Sequence, residues 1–155
     1  MSTTAGIDPR GPRFGAGITA VLLLVVIGLS LGGLIVPALI IFAAQTLLFA
    51  WGAFAGIQRH PYGLLFKRLV RPRLKPPAEL EDPVPPTFAQ GVGFFITAIG
   101  VILTLLGLTL ALPIAAALAF IAAFLNSVFG YCLGCQIYLL LVRARLLRRS
   151  SAASA

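Results

Sequence analysis

No charged residue lies between Arg13 and Arg59, and none between Asp82 and Arg143. A helix needs only ~20 apolar residues to cross the ~30 Å hydrocarbon core of a bilayer, and each uncharged stretch is at least twice that long. Each also carries one interruption. In the first it is Leu31-Gly32-Gly33 followed by Pro37, and in the second Leu110-Ala111-Leu112-Pro113. Glycine and proline end helices, and at a membrane surface the freed backbone groups reach water. The pattern therefore predicts an all-α integral membrane protein with four transmembrane helices, at about 14–31, 36–57, 88–110 and 113–131. Arg10 and Arg13 ahead of an apolar run resemble the start of a signal peptide. No small-residue cleavage site follows a short core, however, and the apolar stretch continues, which predicts a retained first helix.

A second pattern runs beneath the first. Asp8-Pro9-Arg10-Gly11-Pro12-Arg13-Phe14 recurs as Asp82-Pro83-Val84-Pro85-Pro86-Thr87-Phe88, and Gly17 and Gly91 continue the match at the same offset. Leu69-Val70-Arg71-Pro72-Arg73-Leu74 is answered by Leu141-Val142-Arg143-Ala144-Arg145-Leu146. Matching starts and ends predict two tandem helical hairpins related as a parallel pseudo-repeat. Residues 1–81 are the first hairpin with its basic loop, 82–149 the second, and 150–155 a frayed tail. Aspartate followed by proline is a helix start, so capping is the simple role for Asp8 and Asp82; an ionic link to arginines of the other repeat is the alternative. Residues 64–71 read as a basic amphipathic segment at the interface. By correspondence Gly130 to Cys135 is the break in the second copy, Gln136 to Arg149 its interfacial helix, and Cys132 aligns with His60. The rival is one continuous helix from Pro113 to Arg149.

Composition and charge sharpen the assignment. Hydrophobic residues make up 59% of the chain and charged ones 10%, against roughly 25% charged in a soluble domain. All twelve Lys and Arg lie at the N-terminus, in the loop from Arg59 to Lys75, or at the C-terminus. Four spans put these three regions on one side, which the positive-inside rule makes the cytoplasm. The reading is a multi-pass plasma-membrane protein with both termini cytoplasmic. Its net charge of +8 then reflects orientation and attraction to anionic lipid head groups, with no call for nucleic acid.

Few side chains carry chemistry. The only two cysteines, Cys132 and Cys135, sit two residues apart, a spacing at which both sulfurs reach each other or one ligand. They are the candidate catalytic pair, with a dithiol as the resting state on the cytoplasmic side. The plainer reading makes them small packing residues, since Gly130 and Gly134, like Gly52 and Gly56, have the small-xxx-small spacing of close helix contacts. A metal site is weak: two thiolates leave zinc two ligands short and His60 is the sole histidine, so no metal and no cofactor is expected. His60 beside Pro61 reads as a turn residue. Asn126 and Gln45 lie deepest in the spans, as interhelical glue or, for Asn126, as lining for a polar substrate near Cys132. His60, Asn126 and Gln136 are the candidate lining residues. No nucleotide loop, carboxylate dyad, serine nucleophile or intramembrane acid is present in the sequence.

Over nearly its full length the chain resembles the bacterial, mainly actinobacterial, membrane-protein family known as domain of unknown function 4395. The likeness is carried by Asp8-Pro9 to Phe14, His60-Pro61-Tyr62-Gly63, Arg71-Pro72-Arg73-Leu74, and above all Phe124-Leu125-Asn126 through Phe129-Gly130-Tyr131-Cys132-Leu133-Gly134-Cys135. Gln136 stands where many members carry an acidic residue, which puts an acid role there in question. The resemblance implies the architecture and, through thioredoxin-like and sulfurtransferase neighbours, thiol or sulfur handling. Cys132 is expected to be the nucleophile and Cys135 the resolving partner, exchanging with a thioredoxin-like or persulfide-carrying protein. A carrier for a small sulfur-containing solute and a non-catalytic scaffold are the alternatives, and a homodimer is compatible with any of the three.

Overall fold

The computed structural model describes residues 6–147. Arg148, Arg149 and the expected tail at 150–155 lie outside them. Six α-helices follow one another: α1 (Arg10–Leu31), α2 (Ile35–Ala55), α3 (Pro61–Leu65), α4 (Val84–Leu105), α5 (Ala111–Phe129) and α6 (Leu133–Arg143). Helix α3 runs on through a π turn, Phe66–Val70, and a 3-10 turn, Arg71–Arg73. No strand occurs among the described residues beyond one isolated bridge, Ile7 to Glu81. Helices α1, α2, α4 and α5 are each long and apolar enough to cross a membrane.

The first and third spans begin four residues earlier than the hydropathy pattern alone places them. Asp8 Oδ1 accepts the amide hydrogen of Arg10 at 3.0 Å, and Asp82 Oδ1 that of Val84 at 2.9 Å. The carboxylates therefore start the helices by capping. Asp8 also takes the Arg10 guanidinium, at 2.9 and 2.7 Å, so its ionic partner sits in its own turn and not in the other half of the chain.

Both ascending helices stop on a left-handed glycine. Gly33 (φ +81°) ends α1, with Gly33 N–H donating to Ser30 C=O at 3.1 Å and Leu34 N–H to Leu29 C=O at 2.8 Å. Gly107 (φ +98°) ends α4 in the same way, through Thr104 at 3.0 Å and Leu103 at 2.9 Å. This moves the end of α4 to Leu105, five residues before the expected 110, because Gly107 and not Pro113 is the terminator. Pro37 and Pro113 each fall in the first turn of the helix that follows, where a missing amide hydrogen costs nothing.

Helix α1 packs chiefly on α5 and α2 on α4, while α3 lies against α1 and α6 against α4. Leu23, Val26, Ala38, Phe42, Leu112 and Ala116 form the centre. Close approach there depends on Gly100, where a Cβ would stand 2.5 Å from the Ala115 Cβ. The outer faces are apolar: Val21, Leu47, Phe54, Phe95 and Leu105 are all exposed. Thr19, Gln45, Thr46, Thr97 and Thr104 are buried instead. Polar residues inside and apolar residues outside is the arrangement a hydrocarbon solvent favours.

Candidate functional site

The site lies at the end of the bundle where α1 and α4 begin and α2 and α5 finish. Helix α5 ends on Gly130, left-handed at φ +67°. The Gly130 amide donates to Asn126 C=O at 3.0 Å and the Tyr131 amide to Leu125 C=O at 3.1 Å. The Arg13 guanidinium of α1 reaches across to the Ser127 and Val128 carbonyls, both at 3.4 Å. A cation on the last carbonyls of a helix satisfies groups that lack intrahelical partners. The chain therefore breaks, and a continuous helix from Pro113 is not formed.

Cys132 then caps a new helix. Its Sγ accepts the Cys135 amide hydrogen at 3.2 Å, and its carbonyl accepts that of Gln136 at 3.0 Å. The two sulfurs meet in the manner of a disulfide, with the Cα atoms 5.2 Å apart. Helix α6 starts at Leu133, three residues before the expected Gln136, because the sulfur cap lets the first turn form immediately. Gly134 presses α6 onto α4: a Cβ there would stand 2.5 Å from the Ala89 Cβ and 2.6 Å from its Cα. Gly52 fits against Gln90 in a comparable way. Gly56 and Gly130, by contrast, are left-handed residues outside any helix. Each small-xxx-small pair thus divides into one packing glycine and one terminator.

His60 occupies the same local position before α3. Its Nδ1 accepts the Tyr62 amide hydrogen at 3.2 Å, and the ring is only 4% exposed. The acceptor role requires Nδ1 to be unprotonated. Burial holds the imidazole below its ordinary pKa of 6.5, with a hydrogen bond to the Leu48 backbone working against the shift. The reading of His60 as a turn residue survives in a firmer form, since it is a buried helix cap.

Beside it runs a chain of hydrogen bonds that the sequence did not reveal. Tyr62 Oη–H donates to Gln45 Oε1 at 3.2 Å, and Gln45 Nε2–H donates to Thr19 Oγ1 at 3.3 Å. Three elements, α1, α2 and α3, are thereby joined through one buried carboxamide. Burial pushes the Tyr62 phenol above its ordinary pKa. Gln45 was legible as a lone polar group within a span. Tyr62 and Thr19 were not, because only the fold brings them to it.

These elements enclose a cavity of about 700 Å³, within the range of small-molecule sites. Cys132, His60 and Asn126 all line it, together with Tyr62 and Gln90. Small residues keep it open: Gly11, Gly15 and Ala16 of α1 and Ala119, Ala122 and Ala123 of α5 face it. Cys135, which is half-buried, and Gln136, which is exposed on α6, do not border the space. Three of the five candidate residues are brought together and two are not. Among the described residues, no group of three or more His, Cys, Asp or Glu is placed to hold a metal ion.

Neither a curated protein nor a solved structure matches this chain. A family match does exist, over residues 7–143, and it takes in both the bundle and the cysteine turn. The chain belongs to the family described as domain of unknown function 4395.

Proposed function

We propose that this is a multi-pass membrane protein of thiol or sulfur handling, with Cys132 as nucleophile and Cys135 as resolving thiol. The observation that carries the reading is the position of Cys132. Its sulfur accepts an amide hydrogen at the start of α6, and the residue borders the cavity. A helix N-terminus and nearby cations favour thiolate over thiol, and Arg13 lies against Gly130, two residues away. Cys135, which does not border the cavity, suits the second step.

The exchange runs as follows in the reduced protein. The Cys132 thiolate attacks one sulfur of a partner disulfide, forming a mixed disulfide and expelling a partner thiolate that takes a proton. Cys135, deprotonated, then attacks the Cys132 sulfur, forming the Cys132–Cys135 disulfide and releasing the second partner thiolate. Two electrons pass to the partner, for which a thioredoxin-like or sulfurtransferase protein is the proposed class. The test is trapping: C135S should accumulate a mixed disulfide with a model thioredoxin-type disulfide, and C132S should not. Equal trapping by both variants, or by neither, defeats the assignment.

The accompanying architecture is two tandem hairpins, 1–81 and 82–149, with both termini and the cysteine turn cytoplasmic. Exchanging the hairpins turns the α1–α5 pairing into the α2–α4 pairing, and α3 on α1 into α6 on α4. The second reading, a carrier component for a small sulfur-containing solute, is favoured by the cavity itself. Vesicle uptake that survives removal of both cysteines would select it over exchange.

A further inference from the structure

We infer that the cavity seats a single-chain phosphate amphiphile taken from the bilayer, with its head at Lys67 and Arg71 and its chain along α5. The inference is independent of the thiol reading.

The cavity borders two unlike surroundings. On one side it is lined by Leu118 and Ile121 of α5, which are 53% and 50% exposed on the apolar flank of the bundle. On the other it is lined by Lys67 and Arg71, one helical turn apart in the segment after α3. A molecule filling it meets hydrocarbon at one end and cations at the other.

The charge at the polar end is unspent. Asp8 also lines the cavity, but its two oxygens are taken by the Arg10 guanidinium and amide. Among the described residues this is the one ion pair, and neither Lys67 nor Arg71 enters one. Arg71 contributes only a more distant favourable field at Asp8. Two neighbouring cations match a phosphate monoester, which carries close to two charges at neutral pH, better than a carboxylate, which needs only one. Between the ends stand the Gln90 and Asn126 carboxamides, whose side chains donate to no other described group and line the space. They are suited to the ester and hydroxyl oxygens that link a phosphate head to a chain.

The probe is oleoyl lysophosphatidate, added to the full chain purified in maltoside detergent and followed by native mass spectrometry and by thermal shift. One molecule should bind per chain. K67E and R71E should each weaken binding about tenfold or more, as expected for loss of a charge-assisted contact. R68E changes the same charge at a residue that does not line the cavity and should bind as wild type, which controls for misfolding. A122L, which fills the space beside α5, should weaken binding without altering charge. Oleate and oleoyl lysophosphatidylcholine should bind at least tenfold more weakly, and glycerol 3-phosphate should not compete. Competition by glycerol 3-phosphate alone would replace the amphiphile with a free phosphate. Equal binding of oleate or of the choline lipid, or indifference to K67E and R71E, would overturn the inference. Wild-type binding that responds to K67E, R71E and A122L as stated would uphold it whatever the trapping experiment shows.

Discussion

Ile7 and Glu81 exchange two backbone hydrogen bonds, Ile7 N–H to Glu81 C=O and Glu81 N–H to Ile7 C=O, each 2.9 Å. Each residue stands immediately before the Asp-Pro that starts a membrane-length helix, so the starts of α1 and α4 are tied by a reciprocal contact. Glu81→Pro removes one of the two donors, and its ring cannot occupy a paired position of this kind. We expect a loss of roughly 0.5–1.5 kcal/mol, the net worth of such a hydrogen bond. Thermal unfolding in detergent measures it, and Glu81→Ala, which leaves the backbone pair intact, should change little.

Gly134→Ala should be costly despite its size. Its methyl group would meet the Ala89 Cα at 2.6 Å, a backbone atom that cannot swing aside. Overpacking of this kind costs about 1–3 kcal/mol. Because α6 carries the cysteine turn, the variant should also expose the thiols, read as faster alkylation of the reduced protein. Unchanged melting and unchanged alkylation would mean that α6 does not depend on this contact.

Gly33→Ala and Gly107→Ala test the backbone alone. Both residues are left-handed, and a Cβ at either would meet nothing within 4 Å. The cost is therefore conformational, about 1–2 kcal/mol for an L-residue in that region, and should be alike at the two sites. A much larger loss at one would reveal a packing role that the open surroundings argue against.

Gln45→Leu removes the link between Tyr62 and Thr19. Hydrogen bonds between helices in a membrane are worth about 0.6 kcal/mol on average and up to ~1.7. Two are lost, so a destabilisation of roughly 1–2 kcal/mol is expected. Tyr62→Phe should cost less, and the double variant should show a coupling energy of several tenths of a kcal/mol. Strict additivity would separate the two residues.

Stability should fall in mild acid through His60. Its pKa in the folded protein is lowered by burial from the ordinary 6.5. Above pH 6.5 the ring is neutral in both folded and unfolded chains, and its full contribution is present. As pH falls from 6.5 through the lower folded-state value, the unfolded chain takes up the proton first and stability is lost. Asp8, whose pKa is lowered from 3.8 chiefly by its hydrogen bond with the Arg10 side chain, contributes above 3.8 and loses that contribution only in stronger acid. Melting between about pH 4 and 6.5 therefore reports on His60. His60→Asn keeps a capping acceptor without a titrating ring and should flatten that limb.

Much of this fold could be read from the sequence because hydrocarbon leaves few solutions for an uncharged chain. The four spans and their starting caps at Asp8 and Asp82 follow from composition and local chemistry. Helix ends were less legible: Gly107 and Pro113 both signal a break, and only the observed φ tells which one acts. The cysteine turn was half legible. Spacing marked Cys132 and Cys135 as a pair, but not that one borders a cavity and the other does not. Arg13 on the end of α5 and Tyr62 on Gln45 were out of reach, since each joins residues far apart in sequence and each residue alone looks ordinary.

The pairing of α1 with α5 and of α2 with α4 interleaves the two halves of the chain instead of setting them side by side. Helices α1 and α2 touch each other, as do α4 and α5, but less extensively than the pairs across, so most of the surface that each half covers belongs to the other. Cut after Arg73, each half would leave the larger part of its packed surface uncovered until it met the other.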